Sequence, residues 1–280
     1  MKYHPFIGVA LLGAALLLSI SSSYAQKNLP VRIDRWLSIQ RVSGNVNYQR
    51  RSVSRSAKLG DRLEAIGDGV STGSNSSATL LVDTGVGTID ILEKTKLWIQ
   101  TLEVASDYGR ITRLQVPQGQ VRLKLRRFTH RGSRLEIQTP AGWSGVRGTE
   151  FGLVVHPNGK TGLATLEGAV VSEGQGQTVT VNAGFQNFTI PGEPPSAPVP
   201  LRNDSSLQYE LQQEIDRGVR KIRLVGRVDP VNTVTVDGKP KTTDRDGRFD
   251  ASYFASSRLR IQVVVTTPLG KTESYDLALR

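Results

Sequence analysis

Apolar and polar residues alternate with a period of two along most of the chain. In Val121-Arg122-Leu123-Lys124-Leu125-Arg126 the alternation is strict. A strand with that pattern sends its apolar side chains to one face and its cations to the other. Shorter runs with the same habit fall at 44–48, 59–63, 78–82, 88–92, 97–102, 111–116, 135–139, 178–181 and 185–190. They are bounded by Gly, Asn, Asp or Pro, the residues that turn a chain. No helix-period segment interrupts the series before residue 200. The pattern predicts an all-β fold, with a twisted β-roll or sandwich over residues 26–190.

The stretch 139–171 organises that domain. Phe151, Leu153 and Val155 alternate with smaller residues, His156-Pro157-Asn158-Gly159 makes a turn, and residues 163–171 run back as the second arm of a hairpin. Gly145, Arg147, Gly148 and Thr149 precede the hairpin and Gly168 lies in its return. Glycines so close to strand starts predict a bulge or a tight backbone crossing. Arg147 is placed either to pair with Glu150 or to meet a ligand, with the ion pair preferred.

After residue 190 the pattern changes. Residues 191–200 hold five prolines, which predicts a stiff linker over 191–204 and a domain boundary. Ser205-Ser206-Leu207-Gln208 has capping-box form. Leu207, Leu211, Ile215 and Val219 share a helical stripe that Gly218 can end. A short helix is therefore expected over 205–219. Alternation returns at 222–225, 233–236, 248–254, 259–265 and 274–279, with turns at Asp237-Gly238 and Asp244-Arg245-Asp246-Gly247. Residues 220–280 have the size and turn spacing of a small Ig-like β-sandwich.

The N-terminus sets the compartment. Lys2 precedes an apolar run at 6–20, short for a span of about 20 residues, and Ser23-Tyr24-Ala25 offers the small residues a signal peptidase reads. Residues 1–25 are expected to be a signal peptide cleaved after Ala25, with an uncleaved anchor as the alternative. The expected location is the periplasm or the exterior. The formal net charge of +11 favours acidic partners; for an exported chain these are lipid headgroups, envelope polysaccharide or acidic proteins, and no nucleic acid is expected.

Candidate chemistry is sparse. There is no cysteine, which removes thiol nucleophiles, disulfides and cysteine-ligated metals. His130 and His156 lack neighbouring ligand residues for a transition metal. Gly142-Trp143-Ser144-Gly145 lacks the fifth position of a nucleophile elbow. Asp244, Asp246 and Asp250 resemble a calcium-loop fragment, but Arg245 and Arg248 neutralise it, so a hairpin turn is expected. No catalytic residue, metal or cofactor is predicted. Charge is the stronger signal: residues 110–134 carry eight cations and no acid. Arg122, Lys124 and Arg126 form a stripe that Arg110 and Arg113 could extend. It reads either as a solvated strand face or as an anion-binding strip for an acidic glycan or membrane surface.

Several motifs together resemble the FecR domain family. They are Leu59-Gly60-Asp61-Arg62-Leu63, Gly69-Val70-Ser71-Thr72-Gly73, Asn75-Ser76-Ser77-Ala78 with Asp83 and Gly85, Gly119-Gln120-Val121, the 139–171 stretch, and Val179-Thr180-Val181-Asn182-Ala183-Gly184. Val225-Gly226, Val234-Thr235-Val236-Asp237-Gly238 and Asp246-Gly247-Arg248-Phe249 are similar to accessory Ig-like domains of exported bacterial proteins. The FecR resemblance implies a non-catalytic, periplasmic binding or sensory module. Proteins of that family typically receive a signal from an outer-membrane transducer and contact a sigma factor through a cytoplasmic N-terminal part. Here a leader stands in that place, so direct anti-sigma action is not expected. An envelope protein, such as an outer-membrane transducer or signalling partner, is the expected partner. The alternative is a cell-wall or anionic polysaccharide-binding module with Trp98 or Trp143 as a sugar platform.

Overall fold

A computed structural model describes residues 35–50, 53–216, 218–256 and 258–278. The expected leader and its cleavage site lie outside the described residues. Every helix or strand described is a β-strand. The first group is β1 (Leu37–Ser43), β2 (Val46–Arg50), β3 (Val53–Ser56), β4 (Arg62–Leu63), β5 (Gly69–Thr72), β6 (Ser77–Val82), β7 (Gly87–Ile91) and β8 (Lys96–Val104). It continues with β9 (Arg110–Leu125), β10 (Arg134–Thr139), β11 (Gly142–Val146), β12 (Glu150–Val155), β13 (Thr161–Glu167) and β14 (Ala169–Gly174). β15 (Gln177–Asn182), β16 (Phe185–Thr189) and β17 (Val199–Pro200) complete it.

These strands make a roll of two sheets. One runs β4-β1-β6-β7-β9-β12-β13-β16-β17. The other runs β3-β2-β5-β8-β9-β10-β11-β14-β15. β9 serves both. Its first half pairs with β8 and β10, its second half with β7 and β12, and the change comes around Pro117–Gly119. The strands expected at 111–116 and 121–128 are therefore one long element that stops at Leu125. β9 and β10 run parallel; because β9 bends, its last residues come near its first, and residues 126–133 return the chain to the start of β9, where Arg134 lies opposite Ile111.

Alternation fills the space between the sheets. Leu80, Ile89, Leu114, Leu123, Ile137 and Phe151 are fully buried there, each contributing about 1.5–3 kcal/mol of apolar burial. The β12–β13 hairpin departs from one-sided burial: every residue of β12 is buried. Phe151 and Leu153 face the roll core. The small residues on the other face meet the second part of the chain. A Cβ on Gly152 would lie 1.9 Å from the Pro268 carbonyl oxygen, and one on Gly162 2.5 Å from that of Val231.

That second part holds β18 (Gln208–Asp216), β19 (Val219–Arg227), β20 (Thr233–Val236), β21 (Lys239–Lys241), β22 (Arg248–Phe254), β23 (Arg260–Thr266) and β24 (Thr272–Ala278). Its sheets run β18-β19-β22 and β21-β20-β23-β24 and enclose Leu224, Val234, Phe249, Ile261, Val263 and Leu277. The helix expected over 205–219 is not formed. β18 pairs with β19 from Gln208 opposite Arg227 to Asp216 opposite Val219. The spacing of four is an even number, so Leu211 and Ile215 do share a face of β18; but only Leu207 and Leu211 pack on the core, Ile215 is exposed, and Val219 lies across the turn on β19. Ser205, the expected N-cap, is buried and donates its hydroxyl to Glu273 at 2.8 Å.

The proline-rich segment is not a free spacer either. The Ser196 amide donates to the Phe188 carbonyl at 2.9 Å, the Leu201 amide to that of Gly184 at 2.8 Å, and β17 adds to β16. Prolines fit there because an outermost strand does not need every amide for pairing. At Asp244–Gly247 the chain turns, and the Asp244 carboxylate accepts the amides of Asp246 (2.9 Å) and Arg248 (2.8 Å).

Roll and sandwich form one compact unit. Their seam is polar and bonded. Gln120 donates to the carbonyls of Thr267 (2.9 Å) and Pro268 (3.0 Å), Gln186 donates to both Asp229 carboxylate oxygens at 2.9 Å, and Arg245 pairs with Glu193. A cleft of about 860 Å³ stays open beside the seam, walled by Asn75, Gln118, His156, Thr235 and Thr266 among others.

Candidate functional site

The expected anion-binding stripe lies on β9, and most of its charge is matched. Glu150 on β12 accepts Arg122 at 2.5 Å and Lys124 at 3.2 Å. Burial pushes the Glu150 carboxyl up, but the hydrogen bonds from Arg122 and Lys124 outweigh it and hold the group below the usual carboxylate range. Arg113 pairs with Glu136 at 2.8 Å, shares that carboxylate with Arg134, and lies 5.0 Å over the Trp143 ring. Both acids lie outside 110–134, Glu136 just beyond it on β10 and Glu150 on β12, so the local count of cations did not reveal them. Arg147 does not pair with Glu150 as expected; Glu150 is taken by β9, and the Arg147 guanidinium donates to the Arg131 carbonyl.

The glycine motif has a different task from its neighbours in sequence. Gly145 sits in β11 with nothing within 4 Å of a built Cβ, so no close crossing explains it. Gly148 has φ +109, and a Cβ there would lie 2.2 Å from the Arg127 Cα. A Cβ on Gly168 would lie 2.7 Å from the Thr149 methyl and 2.8 Å from the Gly148 carbonyl oxygen. Gly168, Gly148-Thr149 and Arg126-Arg127 thus stack as three close-packed backbone layers. The Leu125 amide donates to the Thr149 carbonyl at 3.0 Å, Arg126 to Val86 at 3.0 Å, and Phe128 to Arg147 at 3.3 Å. The basic segment leaving β9 is fixed on both sides.

Beside it opens a cavity of about 320 Å³, walled by Asp83, Tyr108, Arg110, Arg126, Arg127 and His130 together with Arg35 and others. Arg110 and Arg126 flank β9 at its two ends; they meet because the strand bends across both sheets. Arg35 and Asp83 form a buried pair at 2.9 Å. Arg35 also donates to Thr112 (2.6 Å) and to the carbonyls of Glu103 (2.7 Å) and Ile111 (2.6 Å). It therefore acts as a tie between the chain entering β1 and the ends of β8 and β9. Arg110 reaches Asp83 only at 3.5 Å. Among the described residues no ion pair engages Arg126, Arg127 or Arg131.

The opposite end of the roll carries the other unusual cation. Lys160, at the hairpin turn, is fully buried and donates to the Thr243 hydroxyl (2.5 Å) and the Asp244 carbonyl (2.9 Å). Burial pushes its ammonium down to about 8, while Asp244 and Asp229 pull the other way. His156 is buried beside it. Burial first, and the Lys160 charge second, push the ring down to about 3, with the Val231 backbone acting weakly in the opposite sense. Among the described residues no group of three or more acidic or histidine side chains is placed to hold a metal ion.

On the outer face of the second sheet, Trp98, Gln115, Gln138 and Trp143 fall in one cross-strand row. The Trp98 ring lies against Gly69, where a Cβ would come 2.0 Å from it. A residue without a side chain lets the indole lie along the sheet.

Residues 68–171 match the family model described as FecR protein. Over this stretch the chain is similar to the FecR family. The stretch runs from the start of β5 into β14 and holds Asp83, Arg110, Arg126, Arg127, Gly148, Thr149 and Gly168; Arg35 and the sandwich lie outside it. No curated protein matches the chain in sequence. Two crystal structures of a protein assigned provisionally as an anti-sigma factor from Parabacteroides distasonis are similar over 50% of this chain and 65% of theirs, at 13% identity, with TM-scores of 0.39 and 0.38. The chain thus spans about two thirds of their length. A polysaccharide lyase aligns over 88% of this chain and 40% of its own at 8% identity, with a TM-score of 0.18. None of these likenesses is close enough to carry a functional argument.

The FecR domain's basic cavity was only partly visible in sequence. Arg110 and Arg126 stood in the charged run, and Arg127 and His130 were near it. Arg35 and Tyr108 carried no signal, and Asp83 stood only as a motif residue with Gly85, because their meeting depends on the long β9 and its parallel neighbour. The left-handed Asp83 (φ 46) and Tyr108 (φ 63), each followed within two residues by glycine, were the available hint.

Proposed function

We propose that this chain is an exported, non-catalytic FecR-domain protein that recognises another envelope protein in signalling or envelope assembly. The observation that carries the reading is the FecR match over residues 68–171, a family of signalling and regulatory modules. The fold is compatible with it: two sheets packed face to face, a hydrogen-bonded seam with the sandwich, and one end that the described residues leave open. The sandwich, whose first, second and fifth strands form one sheet and whose other four form the second, serves as an Ig-like accessory that holds the FecR domain in one orientation. In-cell crosslinking of the processed protein is expected to capture one envelope protein reproducibly, with the chain recovered outside the cytoplasm and beginning at Gln26. Recovery in the cytosol with residues 1–25 attached, or hydrolysis of an envelope polymer by the purified protein, overturns it.

A second reading, glycan binding, is favoured by the Trp98–Gln115–Gln138–Trp143 row. Aromatic rings and amides in a row across the sheet, with Arg113 over one face of Trp143, suit stacking and hydrogen bonding to a sugar chain. Retention on purified peptidoglycan that is lost in a Trp98→Ala/Trp143→Ala variant, with no protein captured in cells, selects this reading over the first.

A further inference from the structure

We propose that the uncovered end of the FecR domain is a pocket for a phosphate monoester, with Arg110, Arg126 and Arg127 as its oxyanion contacts. The inference is independent of which envelope partner the protein recognises.

Three observations converge on it. The first is charge. The cavity wall presents Arg110, Arg126 and Arg127, and among the described residues its one carboxylate, Asp83, is held by Arg35 at 2.9 Å and reached by Arg110 only at 3.5 Å. Like charges gathered on a concave wall focus a positive potential into it and repel one another unless an anion enters. Guanidinium forks suit a tetrahedral oxyanion, which accepts several N–H groups at once.

The second is construction. Arginines on a free loop would carry no such meaning. Here the backbone at 125–128 is hydrogen-bonded to Val86 on one side and to Arg147 and Thr149 on the other. Gly148 permits contact that any side chain would prevent, and Arg147 closes the return of the loop through the Arg131 carbonyl. The side chains of Arg126 and Arg127 remain exposed while their backbone is set. This is the support expected of a site whose contacting groups must be pre-positioned. It also gives Arg147, Gly148, Thr149 and Gly168 a common purpose.

The third is shape. A bare anion needs far less than 320 Å³. The volume falls at the small end of organic-ligand sites, which begin at about 300 Å³. Phe128 and Tyr108 add apolar surface to the wall, and Tyr108 is 75% exposed at the rim with φ 63. A ring held outward in that conformation can cover the body to which a phosphate is attached. The ester group could reach the pocket on a small sugar phosphate or on a lipid headgroup; the oxyanion chemistry is common to both.

The test is calorimetric titration of the purified protein with glucose 6-phosphate, inorganic phosphate and glucose, and sedimentation with phosphatidylcholine vesicles with and without phosphatidic acid. The expected result is binding of glucose 6-phosphate, weaker binding of inorganic phosphate and none of glucose. Affinity for the ester should fall at least tenfold in an Arg126→Gln/Arg127→Gln variant. A Lys239→Gln/Arg258→Gln variant, which removes the same charge from the sandwich, should stay within twofold of the parent. Binding to phosphatidic acid vesicles alone, lost in the Arg126/Arg127 variant, assigns the lipid as source and upholds the pocket. Equal weakening by both double variants reduces the effect to diffuse charge and overturns it, as does no binding of any phosphate-bearing probe. Both variants change exposed side chains, so unchanged circular dichroism and unfolding midpoints are expected and separate loss of binding from loss of fold.

Discussion

At one end of the β9–β12 ladder, Lys160 and His156 are buried under the sandwich; at the other, Arg126 and Arg127 stand at a cavity where no carboxylate among the described residues engages them. Both ends are polar and basic. They differ in what meets the charge. Lys160 is satisfied by a hydroxyl and a carbonyl, at a cost in desolvation that its lowered pKa records. Between the ends, Arg122 and Lys124 share Glu150. Positive charge along a single strand and its flanks therefore has three fates: paired across a sheet, buried at a seam, or left for a partner. Only the last is a candidate for recognition, and a count of cations does not separate the three.

The comparison can be broken most forcefully at Gly148. A Gly148→Val substitution sets a side chain against the Arg127 backbone in a conformation that favours glycine, and is expected to cost roughly 2–4 kcal/mol. Urea unfolding gives the number. A change below about 0.5 kcal/mol would mean the loop yields easily and its arginines are not pre-positioned.

Acid probes the sealed end. The folded His156 pKa of about 3 lies below its ordinary 6.5, so between those values the unfolded ring takes up a proton that the folded ring refuses. Stability should rise with pH across that window and fall as pH drops through it, with a slope of up to about 1.4 kcal/mol per pH unit from this group. Unfolding curves at several pH values for the parent and for His156→Phe isolate the contribution. Parallel curves for the two proteins would contradict the burial described.

Glu150→Gln turns the matched stripe into a second unmatched one. The expected loss of stability is about 1 kcal/mol, and binding of anionic vesicles should become more salt-sensitive than in the parent. The smallest effect is expected at the uncovered end: Arg126→Gln and Arg127→Gln should each change unfolding free energy by less than about 0.5 kcal/mol. A larger loss would show that these arginines support the roll instead of awaiting a ligand.

The sequence disclosed the strands well because alternation and turn residues are local signals. It also disclosed that Gly148 and Gly168 were constrained, though not by what: the contacts with Arg127 and Thr149 join segments about twenty residues apart. Gly145 looked equivalent and has open space instead. The misread helix at 205–219 has a definite cause: a spacing of four fits a strand face at Leu211 and Ile215 as well as a helix, and the turn at Gly218 that sends Val219 into β19 reads equally as a helix stop. The sandwich-facing side of the hairpin was hidden in plain view, because Gly152 and Gly162 read as weak strand residues until Pro268 and Val231 are seen against them. For the cavity, composition pointed to the right quarter of the chain, but Arg35 and Asp83 enter through pairing that no local pattern encodes.

β9 has a mechanical consequence. Its sixteen residues form an uninterrupted covalent strut from the arginine-lined mouth to the joint where Gln120 grips Pro268. The ribbon changes sheets at Pro117–Gly119 on the way, so mouth and joint share one covalent element that bends between them.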